Sequence, residues 1–119
     1  MKLQQVVNAL PAINSLAGQK LSLKALYQLD QLMQVVSAEI VFYQREHLII
    51  LRECGKCVRG NEYEIPKEKK EDYDERLKVL LDTEVTADFE PVCLSLTTES
   101  VKLSYFELQA IKGFIRLTE

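Results

Sequence analysis

The longest stretch without proline or glycine constrains the fold of this chain more than any other feature. It runs from Leu23 to Cys54, and Ser22 before it has a side chain suited to capping the first turn of a helix. Because helix-breaking residues are absent, we predict one helix, which at about 1.5 Å per residue forms a rod of roughly 45–50 Å. Gly55 is placed to end that helix.

Apolar residues repeat along this stretch in steps of three and four, which is the pattern of a heptad seam. The seam consists of Leu26, Leu29, Met33, Val36, Ile40, Tyr43, His47, Ile50 and Cys54. A second apolar set beside it consists of Leu32, Val35, Phe42 and Ile49. A helix that is apolar on two sides can pack one face within its domain and the other against another helix or another copy.

We therefore expect self-association through the long helix. The expected oligomer seam consists of Met33, Val36, Ile40, Tyr43 and Ile50. The alternative is that packing within one chain uses both faces of the helix.

Two further helical segments flank the long one. Residues 3–16 carry an apolar stripe at helical spacing, in which Pro11 either kinks one helix or opens a second, and Gly18 ends it. After the long helix, residues 56–65 predict a two-stranded ribbon turning at Gly60 and Asn61. Pro66 then fits the start of a polar helix over residues 67–82, which we expect to fold back antiparallel on the long helix.

The periodicity changes to two in the last third of the chain. Residues 85–90, and again 92–96 and 101–103, alternate apolar with polar side chains around Pro91, which predicts one or two small β elements. Ser104 and Glu107 form a capping box that opens a short helix, and Gly113 is placed to end it. The residues of that helix predicted to face the core are Phe106, Ala110 and Ile111.

The fold class predicted from these patterns is mainly α with a small β element (α+β). It combines a long helix, an antiparallel helical hairpin, short β strands and a capped C-terminal helix in a single domain spanning residues 1–119. The chain shows no signal peptide, and its most apolar run, residues 48–51, is far too short to span a bilayer. Three cysteines fit a reducing compartment, so we expect a cytoplasmic protein without a membrane partner.

The net charge of −3 argues against general nucleic-acid binding, which needs clustered lysine and arginine. Residues 61–90 carry eleven acids against five bases, whereas residues 20–60 carry six bases against four acids. This distribution fits a solvated hairpin with opposite charges on facing helices. It also fits an acidic docking surface for a basic protein partner.

Cys54 and Cys57 form a C-x-x-C pair, the spacing at which two thiolates can chelate zinc. A structural zinc site needs four ligands, and only His47 and Cys93 remain as candidates. His47 lies about 10 Å from Cys54 along one helix, too far to share an ion. We therefore predict no metal and no cofactor, with Cys54 and Cys57 as weak candidates for a metal or redox site and as ordinary cysteines otherwise.

The candidate binding residues are Arg45, His47, Arg52 and Arg59. The three arginines could grip an anionic small molecule such as a nucleotide phosphate, or could serve as solvated surface. His47 is the only histidine and lies on the seam, where a polar residue usually sets register or packs at an interface.

Acids and bases over residues 67–76 interleave at the spacing of helix-stabilising ion pairs. No catalytic motif is present, so we expect that the protein is not an enzyme.

The order of the segments resembles that of small uncharacterised proteins encoded by bacteriophages and prophages. The resemblance rests on YQREHLIILRECG at the end of the long helix, then a short insert with a Gly-Asn turn. A charged helix running into LKVLLDTEVTADFEPVCL follows, and then LSYFELQAIKGFI. The resemblance implies that the protein acts inside an infected or lysogenic bacterium. It assigns no function to any particular residue of this chain.

On this basis we expect a non-enzymatic phage accessory protein that self-associates and acts by stoichiometric binding. It would inhibit a host defence protein or sequester a nucleotide signal. One alternative is a phage structural or assembly chaperone, and another is a small cysteine-based metal or redox protein.

Overall fold

A computed structural model describes residues 1–60, 62–97 and 99–119. The helices are α1 (Leu3–Ala17), α2 (Leu23–Cys54), α3 (Lys70–Leu81, preceded by a 3₁₀ turn at Lys67–Lys69) and α4 (Tyr105–Ile111). The strands are β1 (Lys56–Arg59), β2 (Glu62–Glu64), β3 (Val92–Ser95) and β4 (Ile115–Thr118). The predicted class, mainly α with a small β element, is confirmed.

The long helix begins and ends where the sequence predicts. The Ser22 hydroxyl accepts a hydrogen bond from the Ala25 amide at 3.3 Å, and the Gly55 amide donates to the Leu51 carbonyl at 2.8 Å. A Cβ at Gly55 would lie 2.8 Å from that same carbonyl oxygen, so a larger residue would push the chain apart there. Because both ends are fixed by local contacts, α2 forms one rod through a molecule that measures 54 × 28 × 22 Å.

The first helix resolves the two alternatives for Pro11. It runs unbroken from Leu3 to Ala17 with Pro11 inside it, and Gly18 follows as its C-cap. Pro11 is exposed, whereas the apolar stripe of α1 is buried against α2 and α4. The helix therefore tolerates proline because core packing offsets the lost backbone hydrogen bond.

One end of the molecule, here called the body, consists of residues 1–39 and 82–119. In it, α1 and the β3–β4 sheet pack on the N-terminal half of α2, and α4 packs on α1. β3 and β4 run parallel, with Val92 opposite Ile115 and Ser95 opposite Thr118, and α4 lies in the connection between them. Fifteen of the nineteen buried apolar side chains in the described chain belong to the body.

The other end, here called the arm, consists of residues 40–81. The C-terminal half of α2 packs there against α3, and the β1–β2 ribbon closes the tip. The predicted ribbon and the predicted antiparallel return of the polar helix are both confirmed: Cys54 contacts Asp72, and His47 contacts Tyr73. Gly60 adopts a φ of +52° at the turn, which suits glycine, while Asn61 lies outside the described residues.

The predictions for the last third of the chain need correction. Residues 85–90 alternate between partly buried and exposed as expected, but they form no strand, because no neighbouring strand lies beside them in the described chain. The Val85 amide bonds instead to the Met1 carbonyl at 2.8 Å. Residues 101–103 are also not a strand, and part of the predicted polar turn at 97–100 lies outside the described residues.

The strand that pairs with β3 is β4, which the sequence reading overlooked although Ile115 and Leu117 alternate with polar residues. The α4 capping box is confirmed, since the Ser104 hydroxyl accepts from the Glu107 amide at 3.1 Å. Ile111 is fully buried, but Phe106 is 81% exposed, so its predicted place in the core is wrong.

Candidate functional site

The residues expected to form an oligomer seam lie inside this chain. Val36, Ile40 and Ile50 are 1%, 9% and 6% exposed, and Met33 and Tyr43 are half-buried. The heptad seam is therefore the face by which α2 packs on its own body and on α3. Because the chain's own residues cover this face, an aspartate at Val36 or Ile40 would destabilise the fold whether or not the protein associates.

The four candidate binding residues do not share one face. Arg45 and Arg52 are exposed on the outer side of α2, where they contact Glu46 at 3.7 Å and the Tyr63 hydroxyl at 3.4 Å. Residue 47 is rotated by about 200° from residue 45, so His47 points to the other side, towards α3. Arg59 is exposed on β1. The structure thus groups Arg45 with Arg52 and separates His47 from both.

His47 is half-buried between two tyrosines. Its ring stacks on Tyr43 with centroids 5.5 Å apart, and its Nε2 lies 2.9 Å from the Tyr73 hydroxyl. Burial lowers the pKa of His47 and, with smaller contributions from Tyr43, Asp74 and Cys54, raises that of Tyr73. Both groups are therefore held neutral, which suits a hydrogen bond that fixes α3 on α2.

The two cysteines of the C-x-x-C pair have different surroundings. Cys54 is buried, and its thiol donates to an Asp72 carboxylate oxygen at 3.4 Å while Arg76 donates to the sulfur at 3.6 Å. Cys57 is exposed, and its thiol lies 3.0 Å from the Gly60 carbonyl. Among the described residues, no three cysteine, histidine or acidic side chains are placed to hold one metal ion.

A continuous exposed face runs along α2 from the body to the arm. Its residues are spaced by three and four, so they follow one side of the helix opposite the buried seam. We call it the α2 stripe, and it consists of Tyr27, Gln31, Gln34, Ala38, Val41, Arg45, Ile49 and Arg52. Tyr27 and Val41 are 66% and 60% exposed, values that are high for large apolar side chains on a core helix.

A groove of about 450 Å³ opens beside the stripe, between α2 and residues 88–90. Its α2 side consists of Tyr27, Gln28, Gln31 and Val35. Its other side consists of Asp88, Phe89 and Glu90. We call this the acidic groove.

Two contacts fix the walls of the acidic groove. The Phe89 ring stacks on the buried Phe114 with centroids 5.2 Å apart. The side-chain oxygen of Gln28 accepts from the Cys93 amide at 2.9 Å, which ties α2 to β3. Because both walls are anchored to the core of the body, the shape of the groove is set before anything binds.

Two of the excess acids of residues 61–90 line this groove. Residues 67–78, which include the 3₁₀ turn before α3, carry five acids and five bases, so the acid excess lies at β2 and over residues 82–90. Asp82 pairs with Lys2, and Glu84 pairs with the N-terminal amine. Asp88 and Glu90 have neither an ion pair nor a hydrogen bond within the described chain. They therefore favour a cation in the groove and repel phosphate.

Sequence reasoning missed the groove because it assigned residues 85–90 to a strand. One local signal was available: two acids flank an aromatic residue directly before Pro91. Proline restricts the residue before it to extended conformations and cannot donate to a ladder, so such a segment is poorly suited to the middle of a sheet. The sequence could not show that Asp88 and Glu90 would line a groove without a partner in the described chain.

The chain matches no protein-family model, and neither a curated protein nor a solved structure matches it. In the described residues, no helix is both long enough and apolar enough to cross a membrane.

Proposed function

We propose that this protein is not an enzyme and acts by stoichiometric binding as a self-associated assembly, paired along the α2 stripe. The observation that carries the proposal is the exposure of large apolar side chains on the one helix that spans both the body and the arm. Tyr27 lies in the body half of the stripe, and Val41 and Ile49 lie in the arm half. Pairing would remove this surface from water.

The chemistry of the interior supports binding rather than catalysis. The only histidine, His47, is held by Tyr43 and Tyr73, and Cys54 is buried between Asp72 and Arg76. Each of these contacts joins α2 to α3 or orders α2 itself. They serve to hold the arm together, so His47 and Cys54 are engaged in packing rather than presented to a cavity.

The target of binding is proposed more broadly. A protein target is favoured over a nucleotide signal, because the unpartnered carboxylates beside α2 repel phosphate. The resemblance to phage proteins supports action in the cytoplasm of an infected bacterium, against a host protein or as an assembly chaperone.

Light scattering and native mass spectrometry of the purified protein test self-association. We expect a dimer or larger assembly for the natural chain, and a shift towards monomer for Val41→Asp, because a charge would be placed in the paired apolar face. Val79→Asp is the matched control, since Val79 is 67% exposed on α3, outside the stripe. A monomeric natural chain at the highest soluble concentration would overturn the proposal.

A further inference from the structure

We infer that the acidic groove is occupied by Arg45 of a second copy, in an antiparallel pair of α2 helices related by a twofold axis. This inference rests on the self-association proposed above and identifies the contact that would fix its geometry. The groove opens beside the body half of the α2 stripe, and Arg45 belongs to the arm half.

The charges on the stripe are separated along its length. Asp88 and Glu90 lie beside its body half, whereas Arg45 and Arg52 belong to its arm half. Two copies that pair in parallel would set like charges side by side. Two copies that pair antiparallel would set the arginines of each against the carboxylates of the other.

The spacing along α2 fixes the register of such a pair. Gln31 lines the groove, and Ala38 is midway between Gln31 and Arg45, seven residues from each. A twofold axis at Ala38 therefore brings Arg45 of one copy level with the groove of the other. The short Ala38 side chain at the crossing point lets the two helices approach closely.

An apolar contact follows from the same register without further adjustment. Tyr27 and Ile49 are each eleven residues from Ala38, so Tyr27 of one copy lies level with Ile49 of the other. Tyr27 is 66% exposed and Ile49 is 38% exposed, and both would be covered. The register also brings Lys24 level with Arg52, but both are exposed, so solvent screens their repulsion.

Arg45 is free to make the contact. Its guanidinium lies 5.6 Å from the Phe42 ring and 3.7 Å from the neighbouring Glu46, both on its own helix. The Arg45 side chain is 64% exposed, and exposed pairs of this kind contribute little to stability. Asp88 and Glu90, in turn, have no partner within the described chain. In the antiparallel helix pair, the planar guanidinium of Arg45 would lie between these two carboxylates and next to the Tyr27 and Phe89 rings.

Charge reversal on each side of the contact, followed by mixing, tests the inference. One variant is Arg45→Glu and the other is the double change Asp88→Lys with Glu90→Lys. Each alone would set like charges together and should raise the dissociation constant of its own dimer by about tenfold or more. In a mixed pair, both Arg45–groove contacts regain opposite charges. We therefore expect an equimolar mixture to form a 1:1 heterodimer with affinity near that of the natural dimer.

Sedimentation velocity and native mass spectrometry measure the outcome, with Arg116→Glu on the exposed surface of β4 as the matched control. Weakened variants and a restored heterodimer support the inference. A natural dimer that either variant leaves unchanged, or weakened variants that fail to pair on mixing, would overturn it while leaving self-association intact. A natural chain that is monomeric would overturn the proposed function as well, so the two failures are distinguishable.

Discussion

The body and the arm share the same long helix but are held together differently. In the body, α2 is covered by α1 and the β3–β4 sheet, and fifteen apolar side chains are buried. In the arm, α2 has α3 as its main neighbour, and the described buried apolar side chains are Ile40, Ile50, Cys54 and Leu80. The comparison teaches that the buried seam of α2 needs only one neighbouring layer to cover it. The opposite face, the α2 stripe, is left exposed in both regions.

Polar contacts compensate in part for the thin core of the arm. The Arg76 guanidinium pairs with Glu53 at 2.7 Å, and His47 hydrogen-bonds with Tyr73 at 2.9 Å. A hydrogen bond of this kind contributes about 0.5–1.5 kcal/mol, and an exposed ion pair about 0–1 kcal/mol. A fully buried leucine contributes more than either. We therefore expect the arm to open at lower free energy than the body.

The largest expected effect is the loss of unfolding free energy when a buried leucine is replaced by alanine, and we expect this loss to be greater in the body than in the arm. Leu16→Ala removes a side chain that is 0% exposed in the body, and we expect it to cost about 4–5 kcal/mol of unfolding free energy. Leu80→Ala removes a side chain that is 7% exposed in the arm, and we expect about 2–3 kcal/mol, because a two-layer region collapses more easily into the void. Urea denaturation measures both.

Hydrogen exchange shows where each change acts. Leu80→Ala should speed amide exchange in α3 and leave α1 nearly unchanged, whereas Leu16→Ala should speed exchange in both helices. Equal costs for the two changes, or uniform exchange after Leu80→Ala, would mean that the arm and the body unfold as one unit.

A smaller effect tests how the body holds its shortest helix. Ser104→Ala removes the hydroxyl that accepts from the Glu107 amide, and we expect a loss of about 1 kcal/mol. The reciprocal bond from the Ser104 amide, which lowers the pKa of Glu107, stays in place. Ser100→Ala, an exposed serine outside any helix, is the control. An unchanged melting midpoint would show that packing of Ile111 alone fixes α4.

The smallest expected effect is a pH dependence that belongs to the arm. Burial lowers the folded-state pKa of His47 below 6.5, so its neutral form favours folding. That stability is present above pH 6.5 and is lost as the pH falls through the lower folded-state pKa. The protection factors of the α3 amides, which correct for the intrinsic pH dependence of exchange, should fall over this window in the natural chain and fall less in His47→Gln. An equal fall in both chains would assign the effect to carboxylates.

Local patterns predicted the elements that local contacts fix. Both ends of α2, the ribbon after Gly55 and the Ser104 cap were predicted correctly because each depends on residues a few positions apart. The antiparallel packing of α3 on α2 was also predicted, because the short ribbon between the two helices reverses the direction of the chain. The parallel β3–β4 pair was not predicted, because strands separated by a helix are joined by contacts that no local pattern specifies.

For the candidate site, the sequence showed that α2 is apolar on two sides but not which side the chain itself covers. It marked the heptad seam of α2 as the surface for a partner, but amphipathic spacing shows that a face is apolar and not what covers it. Only the tertiary structure assigned that seam to α1, α3 and β3, left Tyr27 and Val41 exposed, and brought Asp88 and Glu90 beside Gln31. The sequence by itself determined the helices and the β1–β2 ribbon, because these depend on neighbours along the chain. The tertiary structure decided which faces are buried, because burial depends on residues that are distant in sequence.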